Sequence, residues 1–367
     1  MTPFTAPRWS LLRTNSQSRY DDCERPPVAA SGRFRTIHAE TANGNKVTSV
    51  EDIKIGKATA KPLGKFEHPD LTAEGRQRAS IELKQFETLW VNTGTLCNIE
   101  CGHCYIESSP SNDRLVYLTN DELSPFLDEA ALMGASEIAF TGGEPFLNSD
   151  FPAMMKTSLE RGFSVLALTN AMRPMMRPPI LKRLQEIHQR FGQSLKMRVS
   201  LDHFSAARHD EEREPNAFTT ALIGLGWLRD QGVSFSIAAR TFWDEDEAAM
   251  REGFASLFDE NNFDLDAHNP TDLVLFPEMD MTEPVPEITT ACWEILGKDP
   301  NDAMCANSRM VVKRKGASAP TVIACTIIAY DERFEMGESL KQAARPVKLN
   351  HPHCAKFCVL GGASCSG

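Results

Sequence analysis

From Phe86 onward, short apolar runs alternate with longer segments whose apolar residues recur every three or four positions. The short runs predict strands at Thr88–Asn92, Glu137–Phe140, Ser164–Thr169, Met197–Ser200, Ser234–Ala239 and Leu273–Phe276. The longer segments predict helices. One starts at Thr119-Asn-Asp-Glu122, a capping box, and continues through Leu123, Phe126, Leu127, Ala130 and Leu132. Others fall at 151–161, 179–191, 216–230 and 246–258. Alternating strands and helices predict right-handed βαβ units on a parallel sheet, hence an α/β fold. Six such units make a partial (β/α)6 barrel, TIM-like but short of the closed eight-unit form.

The flanks read differently. Residues 1–84 are rich in Pro, Ser, Thr, Arg and Lys and lack sustained periodicity. They predict a largely irregular, poorly ordered arm with one hairpin around Asn43–Gly44. Residues 85–285 hold the barrel pattern, and residues 286–367 carry six cysteines in 82 positions. That last stretch predicts a small module held by metal rather than by a large core.

Composition narrows the function. A net charge of −11 does not suit tracking a phosphate backbone, so no nucleic-acid partner is expected. No apolar run reaches membrane-spanning length, so no membrane association is expected. The first twenty residues contain arginines but no apolar core of signal-peptide length. A cytoplasmic location is expected, with a transit-like leader left open. Ten cysteines without a secretory signal point to metal ligation or catalysis rather than disulfides. Cys23 stands apart and reads as a free thiol.

The chemistry concentrates in Cys97-Asn-Ile-Glu-Cys101-Gly-His-Cys104-Tyr, a C-x3-C-x2-C spacing directly after the first predicted strand. Three thiolates on one loop hold three corners of an iron–sulfur cube and leave the fourth iron open to a small molecule. Structural zinc is the alternative, with His103 as fourth ligand, poorly placed between two cysteines. A second signal, Phe140-Thr-Gly-Gly-Glu-Pro145, lies at the end of the next strand. Its two glycines let backbone approach a ligand, and strand carboxyl ends are where such barrels place chemistry.

Together these elements resemble the radical S-adenosylmethionine (SAM) superfamily, over roughly residues 86–280. The resemblance implies that Cys97, Cys101 and Cys104 bind a [4Fe–4S] cluster whose free iron is chelated by SAM. It implies that Gly142, Gly143 and Glu144, in the segment ending at Pro145, contact the SAM amino group. Thr169 and Asn170 end the third strand, and Arg198-Val-Ser-Leu-Asp202 ends the fourth. By the same resemblance Ser200 bonds the SAM ribose; a strand-end cap is the alternative for Ser200 and Asp202. His209-Asp-Glu-Glu-Arg213 continues the pattern, although Glu214 stands where relatives often have glycine, and His103 where they usually have an aromatic residue. Reductive cleavage of SAM to methionine and a 5′-deoxyadenosyl radical, which abstracts hydrogen from substrate, is the implied activity. A reductant such as flavodoxin or ferredoxin is the implied partner.

The later cysteines, Cys305, Cys325, Cys354, Cys358 and Cys365, are similar to the SPASM and Twitch extensions that bind auxiliary [4Fe–4S] clusters. Their number implies one auxiliary cluster held by four of the five, with Cys365 a rival near the chain end. A zinc-stapled module is the alternative. Cys292, before Trp293, reads as a buried apolar residue. Arg173 and Arg177 flank a Pro-rich loop after strand three, and Arg240 ends strand five; each has a cofactor-facing and a purely structural reading. The substrate classes that compete are a small metabolite and a peptide. A non-catalytic iron–sulfur electron carrier, or a zinc-stapled interaction protein on the same scaffold, is the second functional reading, and the intact GGEP segment argues against it.

Overall fold

The computed structural model describes residues 64–241, 245–277 and 284–360. The hairpin expected at Asn43–Gly44 lies outside the described residues. Chain order runs β1 (Ser80–Ile81), β2 (Thr88–Asn92), α1 (Asn120–Leu132), β3 (Glu137–Thr141), α2 (Phe151–Glu160), β4 (Ser164–Thr169), α3 (Pro178–Phe191), β5 (Leu195–Ser200) and α4 (Ala206–Glu212). It continues with α5 (Ala217–Asp230), β6 (Ser234–Thr241), α6 (Glu247–Glu260), β7 (Leu273–Pro277), α7 (Cys292–Leu296), β8 (Ser308–Val312), β9 (Thr321–Ile323), β10 (Glu335–Gly337) and β11 (Val347–Lys348).

Strands β2 to β7 pair in parallel and in sequence order, which is the partial (β/α)6 barrel. The sheet is open between β7 and β10. Alternation along each strand sets the layers. Leu89, Val91, Ile138, Phe140, Val165, Met197, Val199 and Ile237 enter the large core that includes the helices. Trp90, Ala139 and Leu166 face the other way, into the barrel, where Met310, Val312 and Ile323 join them. Both faces are therefore buried, as parallel sheets require. The barrel interior turns polar on β5 and β6, where Arg198 and Ser236 are cross-strand neighbours.

The helices begin where the sequence says. Thr119 accepts the Glu122 N–H at 3.2 Å while Glu122 accepts the Thr119 N–H at 3.0 Å, closing the capping box on α1. Asp246 caps α6 through the Ala249 N–H at 2.7 Å. No helix among the described residues is long and apolar enough to cross a membrane.

Two flanking segments complete the sheet system. β8 pairs in parallel with β2, and β9 and β10 follow antiparallel, so residues after 286 extend the barrel's own sheet. Before the barrel, β1 pairs with β11, Ser80 opposite Lys348. Residues 64–84 contain little regular structure but are fixed by buried Arg78, which pairs with Glu287 and donates to Leu71 O at 2.8 Å and Leu349 O at 3.1 Å. Glu287 also receives the Phe66 and Ala73 N–H groups at 2.7 and 2.6 Å, so both oxygens of this buried carboxylate have donors.

Candidate active site

The cysteine loop leaves the carboxyl end of β2. Its base is fixed by the Gly94 N–H on Asn92 Oδ1 at 2.9 Å, and its return by the Cys97 N–H on Ser109 O at 3.0 Å. The glycine turn after β3 is stitched to this loop: the Gly143 N–H donates to Gly94 O at 2.8 Å and the Glu144 N–H to Leu96 O at 3.1 Å. The contact requires glycine. A Cβ on Gly143 would stand 2.1 Å from Leu96 O, and one on Gly142, whose φ is +148°, 2.5 Å from Gly94 O. The Gly143 and Glu144 amides are thus spent on holding the turn to the loop.

Glu144 turns its carboxylate away from the glycine turn. It is buried, and accepts from Thr169 Oγ1 at 2.9 Å, the Asn170 N–H at 2.9 Å and the Phe146 N–H at 3.1 Å. Burial pushes its pKa up to about 7, against the pull of those donors. The side chain thus ties the ends of β3 and β4 together, and Pro145 starts the short 3-10 turn that follows. Asn170 Nδ2 in turn reaches Asn98 Oδ1 in the cysteine loop at 2.9 Å.

Past β5, Asp202 forms a two-point pair with Arg213, at 2.6 Å to Nε and 3.0 Å to Nη2, with Arg240 Nε at 3.6 Å. Burial opposes the Asp202 charge, but the arginines hold its carboxyl below the usual range. Burial pushes the Cys97 thiol up to about 12 and Cys101 up to about 11, with the Arg213 cation opposing the rise at Cys101. His209 receives the Asp202 N–H on Nδ1 at 3.1 Å, and burial drives its pKa down to about 3.

These side chains converge. Cys97, Cys101, Cys104, Gly142, Gly143, Thr169, Asn170, Ser200, Asp202 and Arg213 all line one cavity at the strand carboxyl ends. Glu144 and Pro145 stand behind its wall. Arg173 and Arg177 are not on it; Arg177 binds the carbonyls of Phe146 and Pro174. Arg240 is on it, with its guanidinium 4.4 Å over the Tyr105 ring. Sequence reasoning passed over Trp90, Tyr105, Phe276, Thr326 and Ile327, which line the same cavity. The alternation of β2 carried the signal for Trp90. Thr326 and Ile327 arrive by tertiary folding and had none.

The residues suit a cluster with a bound sulfonium cofactor. Three thiols face one space, backbone at the glycine turn approaches the loop without side chains, and a buried arginine adds a positive charge beside the thiols. Among the described residues, no three Cys, His or carboxylate side chains stand close enough to hold a single metal ion.

The C-terminal group is built differently. Cys305 follows α7, Cys325 follows β9, and Cys354 opens a π-helical turn, Cys354–Leu360, that also holds Cys358. Cys305 and Cys325 both lie near enough to Cys354 for their charges to act on it. Burial pushes Cys305 up to about 11, with Arg309 opposing, and raises Cys354 well above the thiol norm. Cys365 lies outside the described residues. Cys292 is fully buried and receives the Thr289 N–H on sulfur at 3.3 Å, a structural role.

Comparison with known proteins agrees with this geometry. Residues 91–242 match the family model described as the Radical SAM superfamily. Members of this class use a [4Fe–4S] cluster and SAM. An AdoMet-dependent heme synthase of Methanosarcina barkeri is 32% identical over 142 residues, 38% of this chain and 38% of that protein. The subtilosin biosynthesis protein AlbA of Bacillus subtilis is 26% identical over 160 residues, 42% of this chain and 34% of AlbA. The chain thus matches well under half the length of these curated relatives. Among solved structures, Streptococcus suis SuiB bound to its precursor peptide SuiA has a TM-score of 0.52 at 12% identity, over 77% of this chain and 67% of that one. The protein anSMEcpe with bound AdoMet has a TM-score of 0.50 at 15% identity, over 70% of this chain and 77% of that one. These structures share the fold.

Proposed function

We propose that the chain is an enzyme that holds a [4Fe–4S] cluster on Cys97, Cys101 and Cys104 and binds SAM between that cluster and the ends of β3 to β6. One observation carries the reading: the three thiols, the glycine turn and the polar strand ends Thr169, Asn170, Ser200 and Asp202 line a single cavity. A [4Fe–4S] cluster held by Cys97, Cys101 and Cys104 would supply, once reduced, the electron for cleaving the SAM carbon–sulfur bond. The chain's own residues bind, orient and exclude water. Gly142 and Gly143 keep the turn free of side chains, and Glu144 holds β4's end in register. The Asp202–Arg213 pair keeps a charged wall beside the loop, with Asp202 or Ser200 available to a ribose hydroxyl. The substrate, a small metabolite or a peptide, enters against Tyr105, Phe276, Arg240 and Ile327.

We further read residues 85–285 as the catalytic barrel and 286–367 as an auxiliary-cluster module. Its ligands are Cys305, Cys325 and Cys354, with Cys358 or Cys365 as the fourth. A flavodoxin or ferredoxin is the expected reductant. The test is anaerobic reconstitution with iron and sulfide, reduction with dithionite, addition of SAM and measurement of 5′-deoxyadenosine. Formation above a Cys97→Ala control is expected; none would end the reading. Iron analysis expects about eight irons per chain for two cubes, and about four for one.

A further inference from the structure

We propose that Glu212, at the end of α4, is a positioning residue for the cysteine loop, gripping the two residues between Cys101 and Cys104. The inference rests on reading that loop as the cluster's ligand set. Glu212 makes three contacts there. Its carbonyl oxygen receives the Gly102 N–H at 2.9 Å, Oε1 receives the His103 N–H at 2.7 Å, and Oε2 lies 2.7 Å from His103 Nδ1. Against a carboxylate, Nδ1 is the protonated nitrogen.

The carboxylate is out of water: the Glu212 side chain is 3% exposed, while that of His103 is 53% exposed. A buried carboxylate must be matched by donors, and the donors recorded for this one come from the loop. The fit is close, since a Cβ on Gly102 would come 3.2 Å from Oε2. The grip is also anchored. Asp210 receives the N–H groups of Asn216 and Phe218 at 2.8 Å each, joining α4 to α5. The next residue, Arg213, is locked on Asp202. A helix end held on both sides therefore sets the path of the chain between two thiols. His103 stands where a purely apolar ring would lack the Nδ1 bond, so this loop is held by a charge-assisted contact.

The test reads each thiol separately. Iodoacetamide is reacted with the full chain, first without iron and then after anaerobic reconstitution in the presence of a chelator. Peptide mapping follows alkylation at each cysteine. In Glu212→Ala, Cys101 and Cys104 are expected to react about tenfold faster than in the parent, the scale of one lost charge-assisted hydrogen bond. Cys305, Cys325 and Cys354 are expected to be unchanged. Glu212→Gln keeps one acceptor and the shape, and is expected to rescue most of the effect, leaving about a threefold increase. Unchanged loop thiols, or an equal rise at all five, would overturn the proposal. Should the alanine variant not fold, the Gln variant decides on the same criterion. If the apoprotein shows the selective rise but no variant or parent retains iron, the clamp stands and the cluster reading falls.

Discussion

Cys97, Cys101 and Cys104 leave one strand end within eight residues, whereas Cys305, Cys325 and Cys354 are gathered from three segments spread over fifty. The first group is made locally and then secured by neighbours: the Gly143 amide, Asn170 and the end of α4 all reach in. The second is made by the fold and secured by one buried cation. Arg309 donates to the carbonyls of Cys305 and Ser308 at 2.6 Å each, Ala343 at 2.8 Å and Arg345 at 3.1 Å. A local loop can be tuned residue by residue, whereas a gathered site fails as a unit when the segments that bring it together shift.

The difference is tested most strongly by activity. Alanine at Cys97, Cys101 or Cys104 is expected to drop SAM cleavage to background, a loss of about a thousandfold or more, about 4 kcal/mol in transition-state terms. Cys354→Ala is expected to leave SAM cleavage measurable while lowering iron content. Chromatography of 5′-deoxyadenosine with parallel iron analysis decides, and abolition of cleavage in both would erase the contrast.

Next in size is Arg213→Ala, which leaves Asp202 buried opposite only Arg240. It is expected to cost about 3–5 kcal/mol of stability, read as the urea midpoint. The cysteine-loop amides are expected to lose hydrogen-exchange protection before those around Arg309.

Gly143→Ala drives a methyl into the Leu96 carbonyl and is expected to cost about 1–3 kcal/mol. Gly316, at φ +82° with open space around its Cβ position, serves as the control on the C-terminal side, where only the cost of the left-handed backbone, about 1 kcal/mol, is expected.

The most gradual effect is a pH slope. His209 has a folded pKa of about 3, set first by burial, below its ordinary 6.5. Its contribution to stability is full above about pH 6.5 and is lost as pH falls toward 3, because the unfolded chain takes up a proton that the folded one refuses. The slope is expected to be about 1.4 kcal/mol per pH unit at most. His209→Asn is expected to flatten this part of the urea-midpoint curve between pH 6.5 and 5; an unchanged slope would assign the dependence to other groups.

Much of the barrel was legible because local rules and tertiary structure agree there. The Thr119–Glu122 box set the start of α1, and the apolar runs gave six strands whose ends moved by no more than two residues. The cysteine loop and glycine turn were legible as neighbouring strand-end features because both are short local patterns placed directly after apolar runs, and the structure sets them on one cavity. Helix α4 was missed: its seven residues, Ala206–Glu212, are too short for periodicity, and their value lies in contacts to other segments. β8 to β10 were missed because they are brief and unpatterned, and because nothing local says that Ser308–Val312 belongs beside Thr88–Val91. Nothing in the sequence shows that the buried Glu144 carboxylate accepts from Thr169, Asn170 and Phe146 and so ties β3's end to β4's, because these partners meet it only in the folded chain.

That parallel pairing of β8 with β2 bears on how the molecule is made. While ribosomes are still extending the chain, the strand that launches the cysteine loop has β3 on one flank and an open hydrogen-bonding edge on the other. The edge closes only when Ser308–Val312 has emerged and docked. The strand that carries the loop thus gains its second flank from a segment made long after it, so its support forms in two stages, β3 first and β8 second.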